Sequence, residues 1–253
     1  MPYKGPVAIA NEENIMGATF LVCHGAWSAG WAWKKMHPLM AAVGHRLVTP
    51  TCTGLGERAH LANPSIDLET HIQDILNVIK YEDLRDIVLI GHSYGGMVAT
   101  GVADRARDRI DQRIYLDAFV PEEGQCLLDF LNESERQRML QLAKSGDGWR
   151  VPPNPTPPDT SPADVEWLTP RRVDMPIRCF ERPLKLHGGA LKLPRSYIYA
   201  TRVSPVDAFG PFAARARSEP GWRYLEIDAS HSPHVTAPEA LMALLQKVVV
   251  KRA

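Results

Sequence analysis

Apolar positions in the first half of the chain switch between two spacings, and the switching predicts strands and helices in turn. Short apolar, β-branched runs at 18–23, 46–49, 87–90 and 114–116 read as strands. Between them, 31–43 and 68–79 carry apolar residues at helical spacing, and Asp67 is placed to cap the second of these. A further helical stretch, 97–107, follows the third strand. Strands that alternate with helices predict a mostly parallel central sheet with helices on both faces.

The pattern breaks at Pro121. A helix-like stretch runs over 127–144, then a proline-rich run over 151–158, then short pieces around Trp167 and Ile177. Proline lacks an amide donor and restricts the residue before it, so this region cannot supply central strands. A structureless excursion of this length is rare in a compact domain. The segment 121–194 is therefore predicted to be an inserted, mainly helical cap over the carboxyl edge of the sheet. The alternation resumes with a strand at 196–201, a short helix at 209–217, a last strand at 222–227 and a closing helix at 237–249. The expected organisation is a flexible extension over 1–17, an α/β core over 18–120 and 195–253, and the cap between. No internal repeat is evident.

Chemistry enters at Gly91-His92-Ser93-Tyr94-Gly95, where a predicted strand meets a predicted helix. A Gly-x-Ser-x-Gly turn in that context lifts the serine above the sheet edge and nominates Ser93 as a nucleophile. The serine needs a base to remove its proton. Two histidines follow the last strand, and His231 is favoured over His234 because it lies directly after the strand. Two aspartates compete to orient it. Asp117 ends the 114–116 strand, a rigid platform on the same edge as Ser93, and a carboxylate in an apolar run needs a partner. Asp207 lies in the loop after the 196–201 strand, and its structural alternative is to cap the helix that follows. Asp117 is preferred and Asp207 stays open. Backbone amides of Tyr94 and Ala26 are the expected oxyanion hole, with Gly25 leaving room for the carbonyl oxygen. His24 and His92 read as structural. Trp27, with Trp149 and Trp167 from the cap, is expected to line an apolar pocket.

Composition narrows the classes. The 29 basic and 29 acidic residues cancel, so no basic stripe for nucleic acid is present. No apolar run approaches membrane-spanning length. The first residues lack the apolar core of a secretory signal, which predicts a cytoplasmic protein. Cys23, Cys52, Cys126 and Cys179 have no metal-ligand spacing and read as reduced, with nothing demanding a disulfide. The segment 51–60 holds two glycines but no nucleotide-loop pattern, and Glu57 and Arg58 are expected to pair there. The cap's Arg171, Arg172, Arg178, Arg182, Lys185 and Lys192 read as a solvated face. A weaker reading is that they attract anionic substrates.

The stretches 21–33, 51–58, Gly91–Gly96 and 228–231 resemble the α/β-hydrolase superfamily. The likeness is strongest to its esterase and hydroxynitrile-lyase branch, which includes plant methyl-salicylate esterases and bacterial hydrolases of pyrethroid or carbamate esters. It covers nearly all of 18–250. It implies an α/β-hydrolase fold, no metal, no organic cofactor and a small-molecule ester as substrate. It leaves a cap-mediated homodimer open. Lyases of the branch carry threonine at the position of Gly25 and lysine at the position of Ser232, so the implied activity is ester hydrolysis. The branch's usual acid position is Val203 here. A serine carboxylesterase is the leading expectation. A cofactor-free lyase, or an amide or carbamate hydrolase using the same Ser–His pair, is the alternative. A non-catalytic receptor would need neither Ser93 nor His231.

Overall fold

The computed structural model describes residues 17–189, 191–203 and 206–249. The expected N-terminal extension lies, except for Gly17, outside the described residues. The first half runs β1 (Thr19–Cys23), α1 (Met36–Ala42), β2 (Arg46–Val48), α2 (Leu68–Tyr81), β3 (Ile87–Ser93), α3 (Gly95–Arg105) and β4 (Ile110–Ala118). The inserted segment holds α4 (Glu133–Ser145), β5 (Arg150–Val151), α5 (Pro162–Leu168), β6 (Met175–Pro176) and α6 (Arg178–Glu181). The chain then returns through β7 (Arg195–Ala200), α7 (Gly210–Ser218), β8 (Trp222–Ile227), α8 (Pro233–Thr236) and α9 (Pro238–Val248).

Six strands form one parallel sheet in the order β2-β1-β3-β4-β7-β8. Both faces are covered, and the period of two along each strand divides its side chains between two cores. Leu21, Cys23, Ile87, Leu89 and Tyr115 pack on one side with α2, α3 and the inserted segment. Phe20, Val22, Val88, Ile90, Ile114 and Leu116 pack on the other with Trp33, α1 and α9. β5 and β6 pair antiparallel as a separate two-stranded ribbon within the inserted segment.

Several elements differ from the sequence reading in extent. The 31–43 helix divides into a 3-10 turn at Gly30–Trp33 and α1. The 127–144 helix divides likewise into a turn at Leu127–Phe130 and α4, because Asn132 accepts from Glu135 N at 2.9 Å and starts a new helix. Asp67 caps α2 in a reciprocal box with Thr70. Arg58 turns to Asp74 and Thr51 O rather than to Glu57, which corrects the expected pair. No helix among the described residues is long and apolar enough to cross a membrane.

The start of α3 packs closely against the carboxyl ends of the central strands. A Cβ on Gly95 would stand 1.9 Å from Cys23 O, and one on Gly96 would stand 2.1 Å from Phe119 O. A Cβ on Gly91 would lie 2.8 Å from Gly95 O. Gly95→Ala should therefore destabilise the fold by about 1–3 kcal/mol or more. Gly148→Ala, at φ +81° in open space, should cost only the backbone penalty of roughly 1 kcal/mol. Urea unfolding of both variants checks the difference; equal midpoints would contradict the close-approach account.

Candidate active site

All six strands point their carboxyl ends to one edge, and the candidate residues collect there. Ser93 ends β3 at φ +56°, between strand and helix. That left-handed conformation is unfavourable for a non-glycine residue and holds the hydroxyl on the turn. Asp117 arises from a break in strand register. His92 pairs with Leu116, but Ser93 pairs with Ala118, so Asp117 is an extra residue bulged out of β4 at φ +41°. A bulge re-aims one side chain, here a carboxylate. The buried hydroxyl of Tyr197 fixes the next residue by donating to Ala118 O at 2.9 Å and accepting from Ala118 N at 3.2 Å.

The Asp117 carboxylate has two partners. Oδ1 accepts from Ala200 N at 3.2 Å. Oδ2 lies 2.7 Å from His231 Nδ1. A carboxylate oxygen accepts, so Nδ1–H is the donor of this bond. The carboxylate is buried, at 5 % exposure, while the imidazole is open to the cavity, at 35 %.

His231 is held from other sides as well. His92 Nε2–H donates to His231 O at 2.7 Å. The Phe209 ring stacks on the imidazole at 4.7 Å and 7°. Just before it, Ser230 donates from both N and Oγ to the carboxylate of Asp159, in the inserted segment. Lys35 adds a second tie, donating to Asp164 of α5 and to Val235 O of α8. Asp159, Tyr197 and Phe209 were not singled out from sequence. Their partners lie 71, 79 and 22 residues away, and no local pattern announces such pairs.

The alternatives fall into structural roles. Asp207 accepts from Tyr199 Oη at 2.7 Å, Phe209 N at 3.2 Å and Gly210 N at 2.6 Å, so it caps α7 and orders the loop carrying Phe209. It lines the cavity but is not bonded to His231. His234 is buried, stacked on Trp33 at 4.5 Å, and burial holds its pKa at about 3. His24 donates from Nδ1 to Gly25 O and accepts from Cys52 N through Nε2. All four cysteines are free and buried. Burial pushes the thiols of Cys23 and Cys179 up, away from thiolate chemistry.

Ser93, Asp117 and His231 share one cavity of about 640 Å³ with Gly25, Ala26 and Tyr94. A Cβ on Gly25 would stand 2.9 Å from His92 Nδ1 and 3.2 Å from Ser93 Cβ, so a glycine is what lets this loop close on the serine. The Tyr94 amide belongs to the residue just before α3, at a helix N-terminus, where free N–H groups favour negative charge. Its phenol is pinned, donating to His71 Nδ1 at 2.9 Å while His71 Nε2–H donates to Thr53 O. Trp27 lines the cavity, with its Nε1–H on Val151 O at 2.8 Å. Trp149 and Trp167 do not line it, which corrects the expected aromatic wall. Trp167 packs edge-on to Trp31 between Lys34 and Arg171, and Trp149 lies under Arg150. Their amphipathic rings are covered by cations at the surface. Phe119, Leu127, Leu131, Met139, Leu168 and Phe180 supply the apolar lining instead.

A profile of the alpha/beta hydrolase family matches residues 20–244. The chain belongs to this family. A carbendazim hydrolyzing esterase of Nocardioides sp. is 38% identical over 234 residues, covering 88% of this hydrolase and 96% of that protein. A pFDCC methylesterase of Arabidopsis thaliana is 26% identical, over 91% of this chain and 94% of its own length. Among solved structures, an extracellular α/β-hydrolase from a Paenibacillus species matches with a TM-score of 0.75 at 24% identity. That match covers 92% of this hydrolase and all of the other chain, and it shows the shared fold.

The buried histidines set an acid limit. Burial lowers His71 from 6.5 to about 4, and His234 from 6.5 to about 3. Between these values and 6.5 the unfolded chain binds protons that the folded chain refuses. Unfolding free energy should therefore fall as pH falls from neutrality, by up to about 1.4 kcal/mol per pH unit per histidine. Urea unfolding from pH 7 to pH 4.5 checks this, with His71→Gln expected to flatten the slope by about one proton. An unchanged slope would contradict the assignment.

Proposed function

We propose that this hydrolase is a serine carboxylesterase working through an acyl-enzyme, with Ser93, His231 and Asp117 as its triad. The observation that carries the reading is the 2.7 Å bond from His231 Nδ1 to the bulged Asp117, in the cavity that also holds the strained Ser93. Ser93 Oγ attacks the ester carbonyl while His231 Nε2 takes its proton. The tetrahedral oxyanion is held by the amides of Ala26 and Tyr94. As the intermediate collapses, His231 returns the proton to the departing alcohol. Water, activated by the same Nε2, then releases the acid and restores Ser93. Asp117 keeps the imidazole in the required tautomer and stabilises its charged form without taking the proton.

The apolar lining favours a small ester with an apolar or aromatic body. The relatives named as esterases support ester chemistry, and the one at 38% identity is named for carbendazim, so that compound belongs on a substrate panel. The lyase alternative lacks support at Ser232, which follows His231 and carries no charge to hold a leaving cyanide.

On a panel of aryl and alkyl esters, Ser93→Ala should abolish turnover, and Asp117→Asn should lower kcat roughly 10^2- to 10^4-fold. Asp207→Asn should be mild by comparison. Collapse in Asp207→Asn with Asp117→Asn spared would move the acid to the loop. Undiminished hydrolysis in Ser93→Ala would remove the acyl-enzyme altogether.

A further inference from the structure

The cap's basic residues do not form one uniform solvated face. Arg171 is exposed, lies over Trp167 and donates to Trp167 O. Arg182 reaches towards Asp67. Arg172 alone among the six lines the cavity that holds Ser93. Its guanidinium is partly buried, and burial lowers its pKa with no charged partner offsetting the effect.

Arg172 has a neighbour of the same sign. Its Nη1 donates to Asn154 O at 2.7 Å, and Arg138 of α4 donates to Asn154 Oδ1 at 3.1 Å. Two guanidinium groups on the cavity wall are thus tethered to one neutral residue. Among the described residues neither forms an ion pair with a carboxylate, including Glu135, which shares the wall. A partly dehydrated cation that gains only a carbonyl, beside a like charge, is under-compensated. The guanidinium fork matches a carboxylate with two parallel bonds, and such a ligand would supply the missing counter-charge. The apolar residues Leu131, Met139 and Leu168 line the same cavity and suit the body of such a molecule.

We infer that the cavity takes half-esters of dicarboxylic acids, with Arg172, assisted by Arg138, binding the free carboxylate while the ester lies at Ser93. The inference rests on the esterase reading and narrows it to one substrate class. Arg172 and Arg138 are specificity-determining residues on this account and take no part in bond breaking.

The test compares monomethyl esters of succinic, adipic and isophthalic acids with analogues carrying a carboxamide in place of the free carboxylate. At least one acid should be preferred by about 10- to 100-fold in kcat/KM. Arg172→Gln should remove most of that ratio, Arg172→Lys should leave an intermediate ratio, and Arg171→Gln should leave it unchanged. A wild-type enzyme indifferent to the charge, or an Arg172→Gln variant that is folded by circular dichroism and keeps the ratio, overturns the inference. Calorimetric binding of the same pairs to Ser93→Ala separates the two readings. Carboxylate-selective binding that Arg172→Gln abolishes, without turnover in the wild type, would sustain the site and reject the esterase. Neutral-ester turnover with no carboxylate selectivity would do the reverse.

Discussion

Ser93 stands at φ +56° at the end of the third strand, and much of the site's geometry follows from holding it there. A non-glycine residue in that region costs on the order of 1–3 kcal/mol and persists only where its surroundings over-determine it. Here they do. β3 is paired on both sides, by β1 and β4, and α3 packs back onto the strand at van der Waals contact. Gly91 makes that approach feasible, and Gly95 and Gly96 let the start of α3 meet Cys23 O at the end of β1 and Phe119 O after β4, since a Cβ on any of the three would strike a backbone atom. The same approach brings the loop after β1, with Gly25 and Ala26, against the serine. One steric constraint thus positions both the proposed nucleophile and half of its proposed oxyanion hole.

The proposed acid uses the sheet in a second way. Pairing of Ser93 with Ala118 leaves Asp117 out of register, and its carboxylate reaches His231 from a strand rather than from a loop. Tyr197 and Ala200 of β7 hold that bulge through hydrogen bonds. Asp207 is consequently free for another task. It caps α7 and orders the loop whose Phe209 lies flat on the imidazole. The histidine loop is also tied to the inserted segment through Asp159 and Lys35. The wall of the cavity and the proposed base are therefore parts of one bonded unit.

The sheet and its helices were legible because burial on both faces imposes continuous apolar runs, and those runs are visible residue by residue. The Gly91–Gly95 turn was legible because sterics demand those residue types. Asp117 could be preferred over Asp207 on a simple ground, that a carboxylate in an apolar strand requires a partner. Helix interruptions at 34–35 and 131–132 were not legible, since a break within an apolar repeat leaves the repeat intact, as at the Asn132 cap of α4. The tryptophans of the inserted segment misled for a related reason. An indole serves equally in a pocket wall or beneath a surface cation, and only the tertiary neighbours Lys34, Arg171 and Arg150 decide. The ties from Asp159 to Ser230 and from His92 to His231 span 71 and 139 residues, beyond any local pattern.

The central claim is that Ser93 forms a covalent bond to the substrate's acyl carbon with His231 as its base. Stoichiometric labelling by a fluorophosphonate, followed by intact mass and peptide mapping, tests it most directly. The account predicts one adduct per chain, located on Ser93, and labelling slowed by orders of magnitude in His231→Ala. An adduct on another residue, or full ester turnover by a chain that never labels at Ser93, would contradict it.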